Sequence, residues 1–194
     1  MDVPQIKTAG RDEQDKVLDI ITLAFATDTF ARWVWPDAHS YLKNFGRFTL
    51  ALAGKSFDGA TAFYAEDCSA AALWLAPGIS ADEEEMLATL LEVVPESHLE
   101  ALGKMGEEIR KYHPEDPYWY LADIGVDPMM QGRGRGALMM KDMLRRCDNE
   151  KKIVYLESSN PRNISFYERH GFEDVGEILV GNPEPLTPMV RAPR

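Results

Sequence analysis

Val126-Asp127-Pro128-Met129-Met130-Gln131-Gly132-Arg133-Gly134-Arg135-Gly136 is the stretch that decides the architecture of this chain. Before it, Tyr118 to Val126 is rich in aromatic and β-branched residues and reads as a central strand. After it, Met140, Met143, Leu144 and Cys147 fall on the buried stripe of a helix that runs to about Glu150. A strand therefore enters a loop that opens a helix. Gly132, Gly134 and Gly136 omit β-carbons, so consecutive N–H groups can turn toward one point, where the positive end of the helix dipole joins them. Such a loop suits a pyrophosphate, with Arg133 and Arg135 adding charge at its edge. A simple turn needs one glycine, and three alternating with two arginines exceed that need.

A second fit to the same residues competes. Gly132, Gly134 and Ala137 satisfy the loose dinucleotide pattern G-x-G-x-x-G/A, and Glu157 lies at a suitable distance downstream for a ribose contact. Position weighs against it. That motif follows the first strand of a Rossmann unit, and too little chain remains here for two mononucleotide halves. Pro128 and two methionines also separate strand from glycines, where a Rossmann turn is tight.

Working outward, Ile153 to Ser158 reads as a short strand and Asn163 to His170 as a short helix ended by Gly171. Phe172 to Val180 and Leu186 to Arg191 can supply two last strands. Toward the N-terminus, Gln5 to Lys7, Thr61 to Ala65 and Ala70 to Leu75 read as strands. Helices are expected around Val17 to Ala24, from about His39 to Ala53, from Ala81 to Val94, and on to Tyr112. Asp28 to Trp35 reads as an aromatic loop broken at Pro36. The sum is one α/β domain spanning 1–194, with helices covering a sheet.

With 194 residues, 45% of them hydrophobic, the chain can bury a sizeable core. No apolar run approaches the ~20 residues that cross a bilayer. The first residues show no basic and apolar leader. A net charge of −11 disfavours nucleic acid and anionic membranes and weakly favours cationic small molecules. Cys68 and Cys147 lack metal-ligand neighbours and read as small core residues of a reducing compartment. The expectation is a cytoplasmic, metal-free protein. His39, His98, His113 and His170 read as structural or solvated.

Gln131 to Gly136 resembles the Q/R-x-x-G-x-G/A signature of GNAT acetyltransferases, which cradles the coenzyme A pyrophosphate. Leu156-Glu157-Ser158-Ser159-Asn160-Pro161-Arg162-Asn163-Ile164-Ser165-Phe166-Tyr167-Glu168-Arg169-His170-Gly171-Phe172 resembles the second GNAT motif, an Asn ahead of F-Y-x-x-x-G-F. Both stand in the family's order. His113-Pro114 to Gly136, and more closely Leu156 to Phe172, are further similar to puromycin N-acetyltransferases, although Ser165 replaces a frequent Pro and the Trp33-Val34-Trp35 cluster is peculiar to this chain.

The resemblance implies an α/β GNAT (acyl-CoA N-acyltransferase) fold, with a mixed, mostly antiparallel sheet flanked by helices. It implies transfer of acetyl from acetyl-CoA to a primary amine by direct attack in a ternary complex. Tyr167 would protonate the departing sulfur, while Phe166 beside it takes the core role. The backbone of Ile124, Gly125 and Val126 would pair with the cosubstrate, with Ile124 N–H facing the acetyl carbonyl. Gln131 to Gly136, Asn160 and Asn163 would hold the rest of the coenzyme, although Asn160 and Asn163 also suit turn and cap chemistry. Glu157 is the preferred general base, and a water chain is the alternative. Asp123 and Tyr120 sit on the preceding strand, on opposite faces if it is regular. Phe30, Trp33, Trp35 and Tyr120 are the candidate acceptor contacts, suited to a small amine with a flat or apolar body. A non-catalytic acyl-CoA-binding module is the other class to weigh, and a homodimer stays open.

Overall fold

The computed structural model describes residues 3–181 and 183–194. Its centre is one seven-stranded sheet, ordered β1-β2-β3-β4-β5-β7-β6. The strands are β1 (Ile6–Ala9), β2 (Ala62–Ala65), β3 (Ala70–Leu75), β4 (Tyr118–Val126), β5 (Ile153–Ser158), β6 (Glu173–Asp174) and β7 (Thr187–Arg191). All neighbours run antiparallel except β4 and β5. Those two are joined through α7 (Arg135–Asn149), the helical crossover that a parallel pair requires.

Helices cover both faces. α1 (Gln14–Ala24), α2 (Thr29–Val34), α3 (Ala38–Ala53) and α4 (Lys55–Asp58) bury one apolar cluster, which includes Val17, Ile21, Trp35, Phe45 and Leu73. On the other face α7 and α8 (Ile164–Arg169) bury Trp74, Trp119, Leu121, Val154 and Leu156 beneath Met140, Met143 and Leu144. Double coverage explains why β3, Ala-Ala-Ala-Leu-Trp-Leu, has no polar alternation. α5 (Glu83–Val93) packs on α3, and Met105 of α6 (Glu96–Tyr112) packs with Ile178 and Leu186.

Three aspartates set helix starts. Ala31 N–H donates to Asp28 Oδ1 at 2.9 Å, Ser40 N–H to Asp37 Oδ1 at 2.8 Å, and Glu85 N–H to Asp82 Oδ1 at 3.1 Å. Each cap stabilises its helix by about 0.5–2 kcal/mol. The first of them corrects the aromatic-loop expectation: Asp28 caps α2, so Phe30 and Trp33 ride on a helix that stops just before Pro36.

Two other expectations are corrected. Phe172 to Val180 forms only the two-residue β6 and a single bridge, Ile178 to Leu186. Gly176 sits so close to α6 that a β-carbon there would lie 2.4 Å from Tyr112 Cε1, and the chain leaves the ladder to make that contact. Cys68 is exposed in the β2–β3 turn at φ +56, while Cys147 alone is buried, its thiol pushed up to about 12 by burial.

Candidate active site

β4 and β5 pair only at one end, Tyr118 to Tyr120 with Ile153 to Tyr155. Beyond that point β4 keeps its ladder with β3, and β5 keeps its ladder with β7. The two strands part in the middle of the sheet. A cleft of about 1740 Å³ opens there, lined by both strands, the start of α2, the glycine loop and α8.

A second irregularity re-aims β4. Its register with β3 slips between Leu73 and Trp74, so Asp123 opposes Leu73, Leu121 opposes Trp74, and Ala122 is left over. The side chains that join the α7-side cluster are Trp119 and Leu121 before this bulge, and Ile124 and Val126 after it. Tyr120 and Asp123, separated by strict alternation, thus share the opposite face. Bulges commonly turn a side chain toward a site in this way.

One wall of the cleft is made from backbone. Gly132 and Gly134 hold φ of +72 and +79, and a β-carbon on either would meet nothing within 4 Å. Glycine is needed there for conformation, and the space above stays open for a ligand. Gly134 is the N-cap of α7, so the N–H groups of Arg135, Gly136 and Ala137 begin that helix without intrahelical acceptors. Gly136 serves packing instead, since a β-carbon there would lie 3.2 Å from Phe166 Cζ of α8. Gly125 likewise makes room for α1, since its β-carbon would lie 2.6 Å from Ala24 Cβ. Gln131 reaches back, its Nε2 donating to Val126 O at 3.4 Å. The two arginines separate. Arg135 is buried and bridges to Asp67 Oδ2 at 3.0 Å, bracing the loop from the β2–β3 turn, whereas Arg133 is exposed and off the cleft lining. Asn160 uses its side-chain oxygen on Arg162 N–H at 3.0 Å, while Asn163 makes no side-chain cap.

The opposite wall is made from side chains. Tyr167 on α8 lines the cleft and is 6% exposed. Burial first, then Asp123 and Asp28, hold its phenol far above the usual range, so it carries its proton. Phe166 is only half-buried and packs beside the glycine loop, so the core position belongs to Tyr167. Asp28 caps α2 with one oxygen and accepts from Ser159 Oγ at 2.8 Å with the other, tying the α2 entry to the β5–α8 loop. Burial raises its carboxyl above the ordinary range. Asp123 is 7% exposed, and its Oδ2 has no hydrogen-bond partner. Burial, assisted by Asp28, pushes its carboxyl up to about 8.

Glu157 is held differently. Tyr120 donates its hydroxyl to Oε2 at 2.7 Å. His113 Nε2 stands 3.3 Å from Oε1, within ion-pair range but outside hydrogen-bond geometry. His113 in turn hydrogen-bonds through Nδ1 with the Tyr118 hydroxyl and packs its ring among Tyr118, Tyr120 and Tyr155. Burial, then the Glu157 charge, raises the Tyr120 phenol well above its ordinary range. His113, expected to be a bystander, is thus part of the site. It stands just beyond an expected helix and shortly before an aromatic strand, and no local pattern distinguishes it.

The aromatic candidates divide. Phe30 lines the cleft. Trp35 reaches it as well, but is 2% exposed and packs edge-on against Phe45 and Phe48, with its Nε1 unpartnered. Trp33 is off the lining. It stacks on His98 of α6 at 4.8 Å between ring centres.

A parted parallel pair at the centre of a seven-stranded, mostly antiparallel sheet, with a glycine loop and helix start at the mouth of the gap, defines the GNAT fold. Residues 105–172 match the model of the Acetyltransferase (GNAT) family. Among solved structures, that of a "histone acetyltransferase HPA2 and related acetyltransferase" from Corynebacterium glutamicum is similar, with a TM-score of 0.69 and 22% identity, covering 98% of this chain and 97% of that one. Arylalkylamine N-acetyltransferase 2 of Aedes aegypti gives a TM-score of 0.67 at 14% identity, over 100% of both chains. Polyamine N-acetyltransferase of Drosophila melanogaster gives 0.60 at 14%, over 98% of this chain and 100% of that one. These likenesses establish the fold. An uncharacterized N-acetyltransferase of Schizosaccharomyces pombe is 34% identical over 82 residues, 41% of this chain and 33% of that protein, so the match spans about a third of the relative's length. The family likeness covers residues 105–172, and the fold of the chain is that of GNAT acetyltransferases. Among the described residues, no helix is long and apolar enough to cross a membrane.

Proposed function

We propose that this chain, acting as one unit, transfers the acetyl group of acetyl-CoA to the primary amine of a small molecule. The observation that carries this is one continuous cleft with a backbone wall suited to a pyrophosphate on one side, and Tyr167 with three acidic side chains on the other. Gly132 to Gly136 and the first turn of α7 would receive the coenzyme phosphates, and the open edge of β4 at Ile124 to Val126 its pantetheine arm. Holding both substrates in one cleft makes the attack effectively intramolecular. Tyr167 keeps its proton until a thiolate leaves, which is what an acid for that step requires. Cys147 is buried and protonated, so no covalent intermediate is proposed there.

The acceptor class follows from the side-chain wall. Asp28, Asp123 and Glu157 all line the cleft and offer oxygen acceptors to an ammonium group, while Phe30 and Trp35 offer apolar and aromatic surface. A small amine with a flat or apolar body fits both features. The antibiotic-like acceptor suggested by the puromycin branch belongs to the same proposal and rests on sequence resemblance. Intact Tyr167 and an intact glycine loop weigh against a non-catalytic coenzyme-binding module. The test is free-thiol release from acetyl-CoA across a panel of small amines. Amine-dependent release supports the transferase, and tight acetyl-CoA binding without turnover on any amine would instead support the binding module.

A further inference from the structure

The cleft holds two carboxylates in unlike environments on one face of the parted strands. Glu157 accepts from Tyr120 on Oε2, while its Oε1 is buried without a hydrogen-bond partner and has His113 Nε2 at 3.3 Å. Its Oε2 is already committed to the Tyr120 hydroxyl. Asp123 has no such commitment. It is more than nine-tenths buried, lines the cleft, and leaves Oδ2 without a partner. A buried polar atom left unsatisfied needs a reason, because its desolvation costs free energy that nothing in the fold returns. The groups facing it are Asp28 from the α1–α2 connection, Tyr41 from α3, Tyr167 from α8 and Tyr120 on its own strand. None is a cation. The Tyr41 hydroxyl is spent on Thr22 O at 2.7 Å. The Ala122 bulge turns the carboxyl to this face, next to the backbone of Ile124 that is proposed to meet the acetyl group.

We propose that Asp123 is the group that takes the proton from the acceptor amine, with Glu157, tied to Tyr120, a positioning residue that helps to seat the ammonium. The inference rests on the transferase function proposed above. The acceptor arrives as R–NH₃⁺, and one N–H proton passes to Asp123 Oδ2, leaving a neutral amine and a neutral carboxylic acid. The nitrogen lone pair then forms the C–N bond at the thioester carbonyl. The C–S bond breaks with its electron pair on sulfur, and the thiolate takes the Tyr167 proton. The surplus proton on the amide nitrogen and the one on Asp123 leave to solvent, and Tyr167 is reprotonated from it. A carboxyl raised by burial is a stronger base than an ordinary aspartate, and is suited to discharging an alkylammonium near neutral pH.

The proposal makes a demand that a structural role would not. An amine that arrives neutral needs no base for its first proton. The full chain is assayed with 2-phenylethylamine and the other amines of the panel, each paired with its β,β-difluoro analogue, which is largely neutral near pH 7. Asp123→Asn is expected to lower kcat/KM about 10²–10⁴-fold for the charged amine. Most of that loss should vanish for the fluorinated partner, and acetyl-CoA affinity should hold. Glu157→Gln should act mainly on KM for the charged amine. Equal loss on both amines for Asp123→Asn, or an amine-dependent kcat loss carried by Glu157→Gln instead, overturns the assignment. If Asp123→Asn fails to bind acetyl-CoA, Asp123→Glu takes its place: a base moved by one methylene shifts the acidic limb of the pH profile, and an unmoved limb counts against the proposal. Absence of thiol release by the wild-type chain with every amine removes the transferase function itself, and this inference with it.

Discussion

The two walls of the cleft are built on different principles. The wall proposed for the coenzyme is consecutive backbone: a left-handed glycine loop, the first turn of α7 and the free edge of β4. The wall proposed for the acceptor is side chains brought from distant segments: Asp28 and Phe30 from the first helices, His113 from the α6–β4 turn, Asp123 from β4, and Glu157 and Tyr167 from β5 and α8. A backbone wall offers the same N–H groups whatever side chains flank it, so it suits a constant ligand such as a pyrophosphate. A side-chain wall changes with each substitution, and is where an enzyme of this fold adapts to a new acceptor. Damage should divide along the same line, with changes at the glycines acting on coenzyme affinity and changes opposite acting on turnover or acceptor KM.

The largest effect is expected from Tyr167→Phe, which keeps the ring in its packed place and deletes the proton. Turnover should fall about 10²–10⁴-fold with acetyl-CoA affinity little changed, read by thiol release and by coenzyme titration. Turnover near that of the wild type, with chemistry limiting, would reduce Tyr167 to packing. A comparable energy is expected in the stability of Asp123→Asn. Burial pushes the wild-type carboxyl up to about 8 in the fold, against an ordinary 3.8 in the open chain. Between those values the folded state holds the extra proton, so stability from the neutral group is full below the lower value and is lost as pH rises through the upper one. Asparagine cannot ionise. Its advantage in urea midpoint should therefore grow from about pH 4 to pH 8, reaching on the order of a few kcal/mol, and level off above. A flat difference across that window would mean the carboxyl is not buried as described.

Smaller still is the expected effect of Gly134→Val on the backbone wall. Valine at φ +79 costs about 1–3 kcal/mol, and its side chain would stand in the open ground above the loop. Acetyl-CoA should bind about 10- to 100-fold more weakly. Gly136→Ala, by contrast, meets Phe166 and should be felt first as a shift of α8. Unchanged coenzyme affinity in a folded Gly134→Val protein would remove the loop from the coenzyme site.

The difference between the walls also decides what could be read in the sequence. β4, β5 and α7 are legible to within a residue or two because strand, glycine run and helix stripe are local patterns in consecutive positions. The place of Tyr167 on a short helix beside the cleft follows from a motif with fixed spacing, and its role as an acid stays a proposal. Asp123 is visible on its strand, yet strict alternation places it away from Tyr120, because a bulge is decided by the partner strand and leaves no mark at Ala122. His113 acquires its role only when Tyr118, Tyr120, Tyr155 and Glu157 close around it. The Asp28 cap has a readable signal: an aspartate three residues ahead of Ala31, with Pro36 beyond, frames a short helix. The strand expected over Phe172 to Val180 shortens to Glu173–Asp174, where Gly176 comes up against Tyr112, a tertiary contact that no local pattern announces.

The smallest expected effect tests the aromatic part of the acceptor wall, where neighbouring residues should separate. Phe30 lines the cleft, whereas Trp33, on the next turn of α2, leans on His98 of α6 and is off the lining. The two rings touch, at 6.0 Å between centres, so removal of either disturbs the other. If the acceptor rests against Phe30, Phe30→Ala should raise acceptor KM about 2- to 30-fold through lost stacking or cation–π contact of ~0.5–2 kcal/mol. Trp33→Ala should lower the melting temperature, because it unseats α2 from α6, and should leave acceptor KM within about twofold once the protein is folded. Trp35→Ala is expected to be costlier to the fold than to KM, since its ring is sealed against Phe45 and Phe48. A KM that rises for Trp33→Ala and not for Phe30→Ala would turn the acceptor wall around, placing the amine's apolar body between α2 and α6 and leaving the coenzyme wall untouched.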